Sequence, residues 1–183
     1  MTNAAKLSLA SLALGVALAC GGGHKNSGNN NASRLVYTDP AQGDYRLVVS
    51  GGSGTGTVTL ALRGPSSVTA RGANFGLSVD AAKAGYVRQG ASYAGQGAVF
   101  DLGANPRIFM AVLDGGSLRV SMAQKGGTVP AKVLDGEIAT VQVQLQPGAQ
   151  KGAVQLVALP AKVLLEDWTE RAVQVSVGTL EAQ

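Results

Sequence analysis

The chain has 183 residues, with 15 Lys and Arg against 11 Asp and Glu, so its formal net charge is +4. This length allows one domain of ordinary size, and the 45% of hydrophobic residues can form a buried core, which excludes wholesale disorder. One Cys and one His exclude an internal disulfide framework and a Cys-based zinc site, and they leave few groups for acid–base or nucleophilic catalysis. The composition therefore favours a non-catalytic binding or structural protein without a cofactor.

The N-terminus has the parts of a secretory signal. Lys6 is the only charged residue before the apolar run Leu7–Ala19, which is too short to cross a hydrocarbon core of about 30 Å. The run ends in small residues and the chain's only Cys, in the order VALAC at residues 16–20. This ending resembles the lipobox of bacterial lipoproteins, although its Leu lies two residues before the Cys and the commonest pattern has it three before. The alternative is an ordinary signal peptide in which the Cys occurs by chance.

The lipobox resemblance implies a processing site and a membrane anchor. It implies a signal peptide over residues 1–19, cleavage between Ala19 and Cys20, and lipid attachment to the Cys20 thiol. The mature chain would then be anchored to the membrane without spanning it. Gly21 stands where lipoproteins retained at the inner membrane often have Asp. We therefore expect a location in the bacterial cell envelope, at the outer membrane if the organism has two membranes.

A polar segment follows the predicted anchor. Residues 20–34 comprise the acylated Cys and the sequence GGGHKNSGNNNASR, which has no large apolar side chain. Gly, Asn and Ser cannot offset the entropy cost of ordering, so this segment is predicted to be a flexible tether. The only His, His24, lies in the tether, which excludes a Ser–His–Asp site in the rest of the chain and predicts no metal site. The domain is then predicted over residues 35–183.

The rest of the chain has the pattern of an antiparallel β-sandwich. Apolar and polar residues alternate over four clear segments, at residues 57–63, 117–122, 139–146 and 172–177. A period of two gives each strand one buried and one solvent-facing side, so Val141 and Val143 are predicted to lie in the core. Further strands are predicted at residues 45–50, 72–79, 98–102, 107–113, 153–159 and 161–166. Turn residues separate these segments, and no long helical pattern occurs outside the signal.

The order of these segments resembles the cohesin domain, which belongs to the superfamily of carbohydrate-binding β-sandwiches. The resemblance covers roughly residues 45–180 and rests on the segments NFGLSVD (74–80), AGYV (84–87), GSLRVS (116–121) and DGEIATV (135–141). It implies a jelly-roll sandwich of about nine strands. It also implies binding of dockerin modules, often through one sheet face, whereas other members of the superfamily bind cellulose or chitin.

Other site chemistries are not expected. The run Gly51–Gly56 precedes an alternating strand and not a helix, so it is predicted to be a hairpin loop and not a phosphate-binding loop. The acid pairs Asp135/Glu137 and Glu166/Asp167 are predicted to be solvated turn residues. Apart from these pairs the acids are spread singly, which does not supply the oxygen ligands of a calcium site. Scattered Lys and Arg residues give no basis for nucleic-acid binding.

Trp168 is the best candidate for a ligand-binding residue. It lies in the polar segment 166–171, where an indole can be a sugar platform, an anchor for a protein partner, or a turn residue folded over the sandwich end. Aromatic residues make up only 4% of the chain, so no linear aromatic strip for crystalline cellulose is expected. We predict a membrane-anchored, non-catalytic cohesin-like module that binds a dockerin-type protein through a sheet face rich in Thr, Ser, Gln and Arg. The alternative is a carbohydrate-binding module for an envelope or substrate polysaccharide.

Overall fold

The computed structural model describes residues 30–51, 56–100, 107–124 and 128–183, and nothing in these ranges is helical. The described chain is built from strands joined by turns, as its many β-branched residues and glycines predict. The fifteen strands are β1 (Leu35–Thr38), β2 (Tyr45–Val49), β3 (Thr57–Gly64), β4 (Thr69–Val79), β5 (Ala84–Tyr86), β6 (Ala94–Gln96), β7 (Arg107–Asp114), β8 (Ser117–Gln124), β9 (Lys132–Val133), β10 (Gly136–Leu145), β11 (Gly152–Val154), β12 (Leu156–Leu165), β13 (Glu170–Val173), β14 (Val175–Ser176) and β15 (Thr179–Ala182). The predicted all-β class is confirmed, and several short segments bring the number of strands above nine.

The strands form two large sheets and one small sheet. Sheet A has the order β14-β2-β3-β10-β5, with β6 also paired to β10. Sheet B has the order β13-β12-β4-β8-β7, with β9 also paired to β4, and sheet C has the order β1-β15-β11. In the described residues β14 pairs with β2 in parallel, whereas the long strands of sheets A and B pair antiparallel. The architecture is the predicted β-sandwich.

The core lies between sheets A and B. Val141 and Val143 are 1% and 0% exposed, which confirms the side assigned to them by the alternation. In sheet A they pair with Leu60 and Val58 of the neighbouring strand. Phe75 of sheet B is buried in the same apolar cluster. Alternation in the sequence thus determines which side of each long strand is buried.

A tight hairpin places β7 at the edge of sheet B. Asp114 pairs with Ser117 across a two-residue loop of Gly115 and Gly116. Gly115 has φ 56°, in the left-handed region that Gly adopts without a steric penalty, which suits the first position of a type II′ hairpin turn. The hairpin brings β7 back along β8, and β7 is the last strand of that sheet in the described part of the chain.

The sequence predicts a strand at residues 98–102, and this prediction is wrong for residues 98–100. Residues 98–100 form bends and no strand, and residues 101–102 lie outside the described ranges. Phe100 is nevertheless fully buried, and the Val99 amide donates to the Glu137 carbonyl oxygen at 3.0 Å. The apolar run therefore reflects burial of an irregular segment and not strand pairing.

The predicted strands at residues 153–159 and 161–166 are divided differently in the structure. Strand β12 continues through Pro160, and the short strand β11 precedes it. The pairing of β12 with β4 changes register between Leu159 and Lys162. Pro160 lies in this interval and has no backbone amide to donate to a neighbouring strand. The Pro thus produces an irregularity in one strand and does not end it.

The residues just before Leu35 already form hydrogen bonds with the domain. The Asn30 carbonyl oxygen accepts from the Lys151 amide at 2.9 Å, and the Arg34 amide donates to the Gln183 carbonyl oxygen at 3.1 Å. The last residues of the predicted tether therefore run beside sheet C, next to the C-terminus. Residues 20–29 of that tether lie outside the described residues.

Candidate protein-binding face

Sheet B turns one side to the core and the other side to solvent, and the solvent side carries a row of apolar residues. Ile108, Met110 and Val112 alternate along β7 and are 49%, 55% and 50% exposed. The residues between them, Phe109 and Ala111, pack against the core. We call Ile108, Met110 and Val112 the β7 row. It forms a contiguous apolar surface along one border of the sheet.

The cross-strand register extends this solvent side over β8 and β4. Met110 pairs with Ser121, and Ser121 pairs with Asn74, whose Nδ2 donates to the Ser121 Oγ at 2.5 Å. Gly72 lies on the same side of β4 as Asn74, and a Cβ there would come within 2.6 Å of the Met122 carbonyl oxygen. Only Gly therefore fits this position. Because Gly72 has no side chain, the surface of the sheet there does not project as far as the β7 row.

A shallow cleft of about 420 Å³ crosses the same side of sheet B. Its lining includes side chains from five strands: Asn74, Ile108, Ser121, Lys162, Leu164 and Glu170. Lys162 Nζ and Glu170 Oε2 form an ion pair at 2.8 Å, and both side chains are more than half exposed. An exposed pair of this kind adds little to stability, so both charges remain available to a partner.

The outward side of sheet A has the composition that the sequence predicts for the binding face. Thr57 and Thr59 of β3 pair with Gln144 and Gln142 of β10, and these positions alternate with buried residues. The apolar residues exposed in a row lie on sheet B instead. The sequence does not reveal the β7 row by alternation, because residues 108–113 are apolar on both sides of the strand. The continuous run is itself the available signal, since a strand of an antiparallel sandwich buries one side only.

Trp168 lies in the turn between β12 and β13, at the end of sheet B. Its side chain is 49% exposed, and its backbone has φ 69°. The guanidinium carbon of Arg71 lies 4.8 Å from the centroid of the indole. The ring is thus covered on one side by a cation and half open to solvent.

The other predicted site residues lie outside the described part of the chain. Ala19 and Cys20, the predicted cleavage and lipid-attachment positions, fall within residues 1–29, for which no structure is described. In the described ranges no helix has the length and hydrophobicity needed to cross a bilayer. The same ranges bring together no group of three or more His, Cys, Asp or Glu residues placed to hold a metal ion.

The acid pairs of the sequence have different surroundings in the structure. Glu137 accepts a hydrogen bond from the Ser50 hydroxyl and lies 3.6 Å from Arg63, so it is not merely a solvated turn residue. Asp167 accepts bonds from the Thr169 hydroxyl and amide, which lower the pKa of its carboxyl. Neither arrangement pairs two carboxylates for general acid–base chemistry.

Two tyrosines, one buried and one partly buried, have raised pKa values. Burial raises the pKa of Tyr37 to about 12, although the hydrogen bond from the Gly178 amide acts in the opposite direction. Burial also raises the pKa of Tyr86. A raised pKa keeps each hydroxyl neutral, so neither group transfers protons at neutral pH. The Tyr37 hydroxyl makes hydrogen bonds, whereas the Tyr86 hydroxyl has no partner in the described part of the chain.

No protein-family model matches this sequence, and no curated protein matches it. Solved structures do match the fold. A type II cohesin from Acetivibrio cellulolyticus, solved in a cohesin–X-dockerin complex, is 12% identical with a TM-score of 0.60 over 74% of this chain and 95% of that chain. The sixth cohesin of scaffoldin B from the same organism, in complex with a mutant Cel5 dockerin, is 17% identical with a TM-score of 0.56 over 74% and 96%.

A type I cohesin from Clostridium thermocellum, solved in complex with a dockerin, extends this likeness. It is 16% identical with a TM-score of 0.51 over 76% of this chain and 94% of that chain. At such identities the likeness concerns the fold. The domain has the cohesin fold, as the order of its sequence segments predicts.

Proposed function

We propose that this chain is a non-catalytic, membrane-anchored cohesin-like module that binds a dockerin-type protein partner at the cell envelope. The partner covers the solvent side of sheet B and buries the β7 row. Lipid on Cys20 holds the module at the membrane, and residues 21–29 separate the lipid from the domain.

The observation that carries the proposal is the exposed β7 row. Ile108, Met110 and Val112 leave about half of each side chain in water. Single exposed apolar residues are ordinary, but a contiguous row rimmed by polar groups is typical of an interaction surface. Burying the row against a partner releases its hydration water, which favours association.

The surroundings of the row supply the polar rim that protein interfaces use. Arg119 pairs with Val112 across the strands and is exposed on the same side of the sheet. Lys162 and Glu170 line the cleft at its far side from the row and present one charge of each sign. Apolar residues at the centre with charges at the border are the usual arrangement of a non-obligate protein interface.

The cohesin fold supports a protein partner of the dockerin type. The Acetivibrio cellulolyticus and Clostridium thermocellum cohesins described above were each solved in complex with a dockerin. A shared fold does not by itself transfer a function, so the β7 row of this chain is what supports a protein partner here. The only His, His24, precedes the predicted domain in the sequence, which supports a non-catalytic role.

The test measures binding of the chain from residue 21 onwards to a panel of dockerin modules by isothermal titration calorimetry. Met110→Asp places a charge at the centre of the β7 row, where the wild-type side chain is 55% exposed and the substitution does not disturb the core. We expect this variant to weaken binding at least about tenfold, because the carboxylate loses its water in the complex.

Gln144→Asp is the matched control, because it adds the same charge on the exposed side of sheet A. We expect it to bind as the wild type does. Equal affinity of wild type and Met110→Asp would place the contact elsewhere. Failure of every dockerin module to bind would contradict the partner class.

A further inference from the structure

The turn that carries Trp168 holds its backbone in an unfavourable conformation. Trp168 has φ 69° and is the only non-glycine residue with a positive φ in the described ranges. A bulky L-residue adopts this region at a cost, which Gly would not incur. The Trp168 amide donates to the Leu165 carbonyl oxygen at 3.1 Å, and the Leu165 amide donates to the Thr169 carbonyl oxygen at 2.8 Å. The turn thus places a Trp at a positive φ, where Gly would be more favourable for stability.

A bulge in β4 provides the group that orients this indole. Leu164 pairs with Gly72 and the next residue, Leu165, pairs with Ala70, so Arg71 is the extra residue of the bulge. Such a bulge re-aims a side chain. The Arg71 side chain crosses to the Trp168 turn, where its guanidinium stacks on the indole.

Arg71 is itself held in place. The residue is 8% exposed, its Nε donates to the Glu166 carbonyl oxygen at 2.9 Å, and its Nη1 donates to the Val129 carbonyl oxygen at 2.5 Å. Neither ion pair found in the described residues includes it. A buried guanidinium fixed by backbone carbonyls restricts the motion of the ring above it. The open side of the Trp168 indole is therefore a preorganised flat surface.

The same turn forms a wall of a cleft. A cavity of about 330 Å³ is lined by Ser67, Val68, Thr69, Leu165, Glu166, Asp167 and Arg171. It shares Ser67, Val68 and Arg171 with a second cavity of about 520 Å³, to which Asp44, Gln174 and Ser176 also contribute. The two cavities form one groove that begins beside the Trp168 turn.

The lining restricts what the groove can bind. Its charged residues are three carboxylates, Asp44, Glu166 and Asp167, against the single guanidinium of Arg171, which disfavours an anionic ligand. Its hydroxyl, carboxylate and amide groups disfavour a purely apolar ligand. They can exchange hydrogen bonds with many hydroxyl groups, and a flat aromatic ring beside them can stack on an apolar ring face. A neutral sugar polymer has both kinds of group.

We propose that the groove binds a neutral oligosaccharide, with one pyranose ring stacked on the open side of Trp168 and the adjoining sugar hydroxyls bonded in the cleft. This site is separate from the β7 row and does not depend on a protein partner. A single platform suits a short soluble chain, whereas a crystalline polysaccharide surface requires a row of aromatic rings. Arg71 is a positioning residue, since it acts through the indole.

The test uses the full chain in a polyoxyethylene detergent and follows Trp fluorescence. Because Trp168 is the only Trp, its fluorescence reports on this site alone. The probes are cellohexaose, xylohexaose and chitohexaose, with trigalacturonic acid as the anionic comparison. We expect a saturable change in emission with at least one neutral hexasaccharide and no change with trigalacturonic acid. A flat response to all three neutral probes at millimolar concentration would overturn the proposal, as would saturation by the anionic probe alone.

Two variants separate a binding role from a structural one. Trp168→Gly removes the platform at a position whose backbone Gly adopts freely, so the variant should stay folded and lose about tenfold or more in affinity by calorimetry. Trp168→Phe keeps a flat ring and should retain part of the affinity. The β7-row variant Met110→Asp should bind the hexasaccharide as the wild type does. Unchanged affinity of a folded Trp168→Gly variant would refute the site.

Discussion

Two buried tyrosines in the same sandwich have opposite hydrogen-bonding situations, which allows a matched test of the structure. The Tyr37 hydroxyl donates to the Leu47 carbonyl oxygen at 2.8 Å and accepts from the Gly178 amide at 2.7 Å. The Tyr45 hydroxyl is buried and has no hydrogen-bond partner in the described part of the chain. The two residues are 8% and 5% exposed, so Tyr→Phe removes one oxygen from a similar environment in each case.

The expected effects on the free energy of unfolding differ in sign. Tyr37→Phe breaks two hydrogen bonds and leaves the Gly178 amide without its partner, which should destabilise the domain by about 2 kcal/mol. Tyr45→Phe removes a buried hydroxyl that makes no bond, which should stabilise the domain by about 1 kcal/mol. The difference of about 3 kcal/mol corresponds to roughly 6–12 °C in Tm for a domain of this size.

Urea unfolding followed by far-UV circular dichroism and by the fluorescence of Trp168 measures both variants on one scale. Equal m-values would show that each substitution changes stability and not the surface exposed on unfolding. The reasoning fails if both variants shift the midpoint in the same direction by similar amounts, because the packing of Tyr37 across sheets C and A would then not depend on its hydroxyl.

Three further predictions follow from the core, the Tyr37 hydroxyl and the signal. Val143→Asp should unfold the domain, because Val143 is fully buried, whereas Gln142→Asp on the other side of the same strand should be tolerated; circular dichroism distinguishes them. Because burial raises the pKa of Tyr37 to about 12, above its ordinary value of 10.0, this group's stabilising effect is complete below pH 10 and lost as the pH rises through 12. Urea midpoints between pH 9 and about 12 should therefore fall less steeply for Tyr37→Phe than for wild type. Cys20→Ser should abolish incorporation of labelled palmitate in a bacterial host and leave the precursor uncut, and absence of label in wild type would contradict the lipid anchor.

Alternation predicts the long strands because each of them buries one side. The assignment of Val141 and Val143 to the core needs only the period of the sequence. Short strands at the ends of the chain are a different case. β1 and β15 have four residues each and are defined by pairing with each other across most of the chain, which local periodicity does not encode. Phe100 likewise belongs to the core through tertiary packing alone.

The candidate site was harder to predict than the fold, because its parts depend on long-range register. Nothing in the segment around Arg71 indicates that β4 bulges there, since the bulge arises from pairing with β12. The sequence indicates Trp168 by its polar surroundings but not the left-handed backbone or the guanidinium against its ring. The β7 row can in principle be detected from the sequence, because residues 108–113 are all apolar and a strand with one solvent-facing side should alternate.

The two sheets differ in what a protein partner gains from covering them, and this difference favours sheet B for the proposed contact. Covering the outward Thr and Gln side chains of sheet A removes polar groups from water, and each must find a new bond in the complex to offset that cost. Covering Ile108, Met110 and Val112 removes mostly apolar surface and needs no such compensation. A protein partner that can reach both sheets should therefore bind sheet B, and substitutions along the β7 row should affect its binding more than an equal set on sheet A.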